Sequence, residues 1–271
     1  MRVPVVLSLV LAVASPVLGQ AVQLSGGVDG RFTYLSSTQE TDAIVRGVFL
    51  NLRKVWRDES GDRWIAVAQG DLDDNLERLR PYQVYLQSKG PLGHWNVRVG
   101  HFLLPFSLLA TYDTERLPLQ GLEGLSLGMR KDTGVQVLGF AGRFDYAVAL
   151  TSGGGERRRY DRRAEPVLTA RFACVDDASQ LGFSLLSGRP LPKAGEKTSA
   201  TPPQKRRFAL DLTRFAGPLT LHVEAVAGND GGRAVRGGLF LADVALGPAL
   251  RSCHVLHREG FGATGEETGR G

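Results

Sequence analysis

From Val22 onward the chain keeps a two-residue rhythm that few folds can use. Val22, Leu24, Gly26, Val28, Gly30, Phe32 and Tyr34 fall on one parity, and Gln23, Ser25, Gly27, Asp29, Arg31 and Thr33 on the other. Side chains along a strand alternate between its two faces, so this pattern predicts a long strand with one apolar and one polar or tiny face. The rhythm returns at Tyr82-Val84-Leu86, Trp95-Val97-Val99, Phe144-Tyr146-Val148-Leu150, Leu168-Ala170-Phe172-Cys174, Leu181-Phe183-Leu185, Phe208-Leu210-Leu212 and Leu219-Leu221-Val223-Ala225. Segments 43–56, 63–70, 134–141 and 234–246 alternate poorly but have strand composition. The count is about twelve strands, typically of the ~9–11 residues that a membrane barrel uses. Glycine, at 34 of 271 residues, stands well above the usual ~7% and fits many turns rather than long helices.

Connection lengths decide between a barrel and a sandwich. After the first pair of strands, tight gaps alternate with long ones. Turn chemistry fills the tight gaps, as in Asp58-Glu59-Ser60-Gly61-Asp62, Gly90-Pro91-Leu92-Gly93, Ala141-Gly142, Asp176-Asp177 and Gly217-Pro218. Charge and length gather in the others, at 103–133, 152–165 and 188–206. Short turns at one end and long loops at the other are the habit of an outer-membrane up-and-down barrel. A Greek-key sandwich has no reason to keep that parity. The expected fold is therefore all-β, an antiparallel up-and-down transmembrane barrel, with the apolar parity toward lipid. Trp56, Trp64, Trp95, Tyr82 and Tyr34 would form an interfacial girdle near the strand ends.

The chain divides into three segments. Arg2, the apolar run from Val3 to Ala14 and Ser15-Pro16-Val17-Leu18-Gly19 read as a signal peptide over 1–19, cleaved after Gly19. The barrel domain would span 20–247, and 248–271 would be an irregular tail. Cys174 and Cys253 are the only cysteines, so no disulfide framework supports the fold in an oxidising compartment. A net charge of +5 without long basic blocks gives no nucleic-acid footprint. No apolar run reaches the ~18 residues of a membrane-spanning helix.

The runs RVGHFLLPFSLL (98–109), MRKDTGVQVLG (129–139) and FDYAVALTSGG (144–154) resemble the phosphate-selective porin O/P family. The matching positions are Arg98, Gly100, Pro105, Phe106, Arg130 and Gly134. The resemblance covers about a quarter of the chain. It implies a general outer-membrane channel for passive diffusion of small hydrophilic solutes, in contact with outer-membrane lipid and without a cofactor. Anion preference and a homotrimer stay open options. Two features depart from the family. The polar parities carry Arg31, Arg53, Arg98, Arg143 and Arg171 mixed with Asp29, Asp145, Asp211 and Glu224 rather than a basic ladder, so phosphate specificity does not carry over. After Leu246 the alternation stops and no terminal aromatic is present, which reads as a truncated or out-of-frame end of a roughly sixteen-strand barrel.

The long gap 103–133 is the third external loop, the one expected to fold inward and set the width of the lumen. A constriction needs opposed charges across a narrow, partly dehydrated space. Asp113 and Glu115 on this loop, facing wall arginines such as Arg53, Arg98 and Arg171, are the candidate pairing, with Arg130 beside them; ordinary solvated loop charges are the plain alternative. Arg157, Arg158, Arg159, Arg162 and Arg163 form a basic mouth patch for anions or lipopolysaccharide phosphates, or else a solvated loop.

Competing chemistry is weaker. Gly124-Leu125-Ser126-Leu127-Gly128 matches the serine-hydrolase elbow, with Asp145 and His222 as partners by chain order, but the surrounding sequence lacks α/β alternation. Gly260 to Gly265 spells a dinucleotide fingerprint without a preceding strand. His254 and His257 lack companion metal ligands. The acidic turn Asp71, Asp73, Asp74, Asn75 and Glu77 lacks the spacing of a calcium loop. No catalytic or metal site is therefore assigned. Two rivals remain: a soluble periplasmic β-sandwich or small barrel that binds a ligand, and an outer-membrane hydrolase using Ser126.

Overall fold

The computed structural model describes residues 2–14, 22–35, 40–59, 61–72, 79–108, 130–155, 163–191, 202–244 and 253–261; for 2–14, 27–35, 40–47, 71, 79–80 and 253–261 only the backbone is described. The chain divides into two compact units, 1–102 and 103–271. In the first, β1 (Arg2–Ala14), β2 (Val22–Leu35), β3 (Glu40–Asp58), β4 (Gly61–Leu72), β5 (Leu79–Lys89) and β6 (Asn96–Leu103) succeed one another in chain order. In the second, β7 (Lys131–Ala141), β8 (Phe144–Thr151), β9 (Val167–Asp176), β10 (Ser179–Gly188), β11 (Lys205–Ala216), β12 (Leu219–Asp230), β13 (Arg233–Val244) and β14 (Cys253–Phe261) do the same. Each registered strand pairing is antiparallel. The fold is all-β and up-and-down, and the one helical element among the described residues is a 3₁₀ turn at Pro91–Gly93.

Strands β2 to β13 fall on the twelve expected segments. Both ends of the chain add to them. Arg2–Ala14, expected as a leader, pairs along its whole length with β2, a register that its aliphatic and β-branched residues suit. Cys253–Phe261, expected to be irregular, pairs with β13 from Val244↔Cys253 to Arg236↔Phe261. Backbone pairing needs no alternation of side chains, so the missing rhythm did not prevent a strand there. β1 and β14 each have one partner in this order, so the closure expected of a barrel is not among the described pairings.

Alternation reads clearly in the second unit. Phe144, Leu150, Leu168, Phe172, Leu181, Leu185, Phe208, Leu210 and Leu212 are exposed, while Ala149, Thr169, Arg171, Ser184, Arg207, Ala209, Asp211, Thr213, His222 and Glu224 are buried. This inverts the arrangement of a soluble sheet, in which the buried face is the apolar one. In the first unit the rhythm is broken by register shifts at Asp29/Gly30, Trp56/Arg57 and Gln69/Gly70. Each inserts one extra residue, Arg46, Arg63 and Tyr82, and moves the rest of its strand to the opposite parity. Trp64 and Trp95 are exposed near strand ends, with Trp56 opposite Trp64. Tyr82 is not part of such a girdle: it is the extra residue at a bulge and is 4% exposed.

Candidate functional site

The buried face of the second unit carries many small and polar residues, and two arginines lie flat across it. Arg171 on β9 opposes Ser184 on β10, and Asp211 on β11 opposes Gly182 on β10. The guanidinium therefore crosses β10 diagonally, over Gly182, to reach the carboxylate. Nη2 donates to Asp211 Oδ1 at 2.6 Å and Nε to Oδ2 at 3.3 Å, with both side chains almost wholly buried. A Cβ on Gly182 would fall on both partners. The device repeats one strand further on. Arg207 on β11 opposes Gly228 on β12 and passes it to bond Asp230, with Nε to Oδ1 at 3.1 Å, where Lys205 also approaches at 3.8 Å. A two-point Arg–carboxylate bond fixes orientation as well as charge.

Below this pair lie Glu224, which opposes Asp211 directly, and His222, whose Nδ1 is 2.9 Å from Thr213 Oγ1. The polar wall is interrupted by Val167, Leu186, Ala209, Val226 and Leu239. These apolar residues form a seat. Onto it folds the start of the long loop, where Phe106 and Leu108 join the cluster at 2% and 4% exposure. Two hydrogen bonds tie that segment to the wall: Ser107 N–H donates to Ser184 Oγ at 3.0 Å, and Leu108 N–H to Glu224 Oε2 at 3.2 Å. Leu104 N–H donates to the carbonyl of Arg130 at 3.0 Å, closing the base of the loop. Ser107 holds φ at +68°, a left-handed conformation uncommon for serine, so contacts hold the chain there against its local preference.

Asp132, which the sequence did not single out, organises the neighbouring loop. It is fully buried on β7 and accepts from Thr133 N–H at 2.7 Å, Ser152 Oγ at 2.9 Å, Gly153 N–H at 2.6 Å and Gly155 N–H at 3.1 Å. Four donors around one carboxylate fix the chain where it leaves β8. Asp132→Ala should cost about 3 kcal/mol, since charge-assisted bonds are lost and buried donors are left bare. Trypsin would then cut the arginine-rich segment between Gly155 and Arg163 faster than in the wild type, which limited proteolysis measures.

The structure describes only part of the expected constriction pairing. Asp113 and Glu115 lie outside the described residues, and Arg171 is matched by the wall residue Asp211 rather than left for the loop. Arg98 donates to Gln87 Oε1 at 3.2 and 3.0 Å and stacks 4.2 Å over the Tyr85 ring. Arg53 is exposed on β3 and Arg130 is half-buried ahead of β7. Of the mouth patch, Arg163 is exposed, and Arg157, Arg158, Arg159 and Arg162 lie outside the described residues. Pro105 and Phe106 sit in the inward segment; Gly100 and Gly134 sit where a Cβ would meet the backbone of Tyr85 and Thr151. The chain matches no protein-family model, no curated protein and no solved structure. The hydrolase elbow 124–128 lies outside the described residues, and its nominated partners Asp145 and His222 stand on β8 and β12, separated by β9, β10 and β11. Among the described residues no group of His, Cys, Asp and Glu is placed to hold a metal ion.

Proposed function

We propose that the chain is an outer-membrane, porin-like protein through which small hydrophilic solutes diffuse passively along the polar inner face. One observation carries this reading: the apolar parity is exposed on strand after strand while the charged parity is turned inward and paired. Exposed Leu, Phe and Val on consecutive strands would be an aggregation surface in water, whereas in lipid they are the solvated face. The inward turn at Phe106 supports it, because an internal loop narrows a pore. The resemblance to the phosphate-selective porin O/P family at Arg98, Gly100, Pro105, Phe106, Arg130 and Gly134 points the same way.

An anion preference is not part of the proposal. Arg171, Lys205 and Arg207 on the inner face of the second unit stand against Asp132, Asp211, Glu224 and Asp230, which leaves no basic excess. Removing the leader would take β1 from β2, and unpaired edge groups in lipid cost several kcal/mol each. The mature form therefore requires closure or a partner strand at that edge.

Gel migration of the detergent-extracted outer-membrane fraction, with and without boiling, tests the reading. A heat-dependent shift followed by stepwise conductance in planar bilayers is the expected result. Recovery in the soluble periplasmic fraction without a shift would sink it in favour of a soluble ligand-binding β protein, and labelling of Ser126 by serine-directed reagents would favour the hydrolase.

A further inference from the structure

We infer that Glu224 is the positioning residue of the channel, the side chain that latches the inward segment 104–108 against the wall and so sets the width of the passage. The inference rests on the diffusion-channel reading and deepens it. Glu224 stands in the middle of β12, on the inner parity, and reaches a backbone amide of the loop 116 residues earlier in the chain. Around that bond the wall departs from its own pattern. Val167, Leu186, Ala209, Val226 and Leu239 put a continuous apolar patch on a face that carries many small and polar residues, and Phe106 and Leu108 cover it. Ser184 supplies a second acceptor one residue before the latch, at Ser107. A wall built only to be wet has no use for such a seat.

The seat alone does not fix the segment's position. Apolar contact is non-directional and would let Phe106 and Leu108 slide along the patch. A hydrogen bond to a carboxylate is directional and strong for its size. The left-handed Ser107 sits immediately before the latched amide, so the two bonds at Ser107 and Leu108 hold a turn that would otherwise relax. Removing the acceptor at Glu224 would let the segment move from the wall while the seat stays intact.

Two variants separate this role from a general contribution of charge or folding. Glu224→Gln keeps an acceptor oxygen for Leu108 N–H and loses the charge beside Asp211; Glu224→Ala loses both. In planar bilayers, Glu224→Ala should change single-channel conductance by about 1.5-fold or more with added flicker, and Glu224→Gln should restore the wild-type value. Amide exchange of the full-length protein in detergent gives a readout independent of conduction. Within 104–108, the Phe106, Ser107 and Leu108 amides should be protected in the wild type and in Glu224→Gln, and should exchange roughly tenfold faster in Glu224→Ala. Glu224→Asp, which keeps the charge but withdraws the carboxylate by one methylene, serves as the second variant should Glu224→Ala fail to assemble; it should also speed exchange at these amides, and exchange at the wild-type rate would overturn the latch.

A wild type that shows the protection but conducts nothing would overturn the channel reading and leave the latch standing. A conducting wild type whose 104–108 amides exchange freely, or a Glu224→Ala variant identical to wild type in both readouts, would overturn the latch. Equal defects in Glu224→Gln and Glu224→Ala would also overturn it, by showing that the charge and not the hydrogen bond matters.

Discussion

Replacing Asp211 with Ala should destabilise the folded protein by about 3–5 kcal/mol, because it leaves the buried Arg171 guanidinium without its counter-ion. Both partners are almost fully shielded, and Gly182 gives the guanidinium its path across β10. The change is measured by urea unfolding of the reconstituted protein, followed through the fluorescence of Trp56, Trp64 and Trp95. Removing both charges together, as Arg171→Met with Asp211→Leu, should recover most of the loss, since an apolar pair of similar volume avoids desolvating either ion. A loss below about 1 kcal/mol for Asp211→Ala would mean that water reaches the guanidinium, as it does for exposed pairs.

The same pair shows how far the sequence can be read. Arg171 stands out as an inner-parity arginine, but its partner is 40 residues away on a strand two places over. Diagonal contact depends on the register of two successive pairings and on the absence of a side chain at Gly182, and alternation reports neither. The twelve strands are legible because period two survives wherever small inner residues alternate with large outer ones, as in β8 to β12. It is blurred in β3 and β4, where Arg46 and Arg63 are the extra residues of bulges. The inward turn of the long loop is expected from its place as the third external loop, yet what holds 104–108 to the wall is apolar contact and backbone amides bonded to Ser184 and Glu224. Leu186 and Val226 carry the available signal, as apolar residues on a parity that is otherwise polar or glycine. Asp132 leaves none, since an acid two residues after Arg130 looks like any charge at the end of a loop.

Leu210→Arg should prevent assembly or cost about 2–4 kcal/mol, whereas Ala216→Arg on the same strand and the same outward parity should cost about 0–1 kcal/mol. Both positions are exposed, so burial does not distinguish them. Leu210 lies near the middle of β11 and Ala216 is its last residue, at the tight turn. Depth in a bilayer is the quantity that separates them: an arginine at the midplane must be dehydrated or drag water inward, while one at the interface extends its guanidinium to the headgroups. In a soluble β protein both positions face water, and both substitutions would fall within about 0.5 kcal/mol of wild type. Unfolding of the two variants in lipid vesicles, with heat-shift on gels as the check of assembly, therefore tests the membrane reading by a gradient rather than by a single loss. A variant that simply misfolds for local reasons could mimic one point of that gradient. Leu212→Arg, between them on the same face, should fall at an intermediate cost, and an order that does not track position along the strand would place the exposed apolar face in some environment other than lipid.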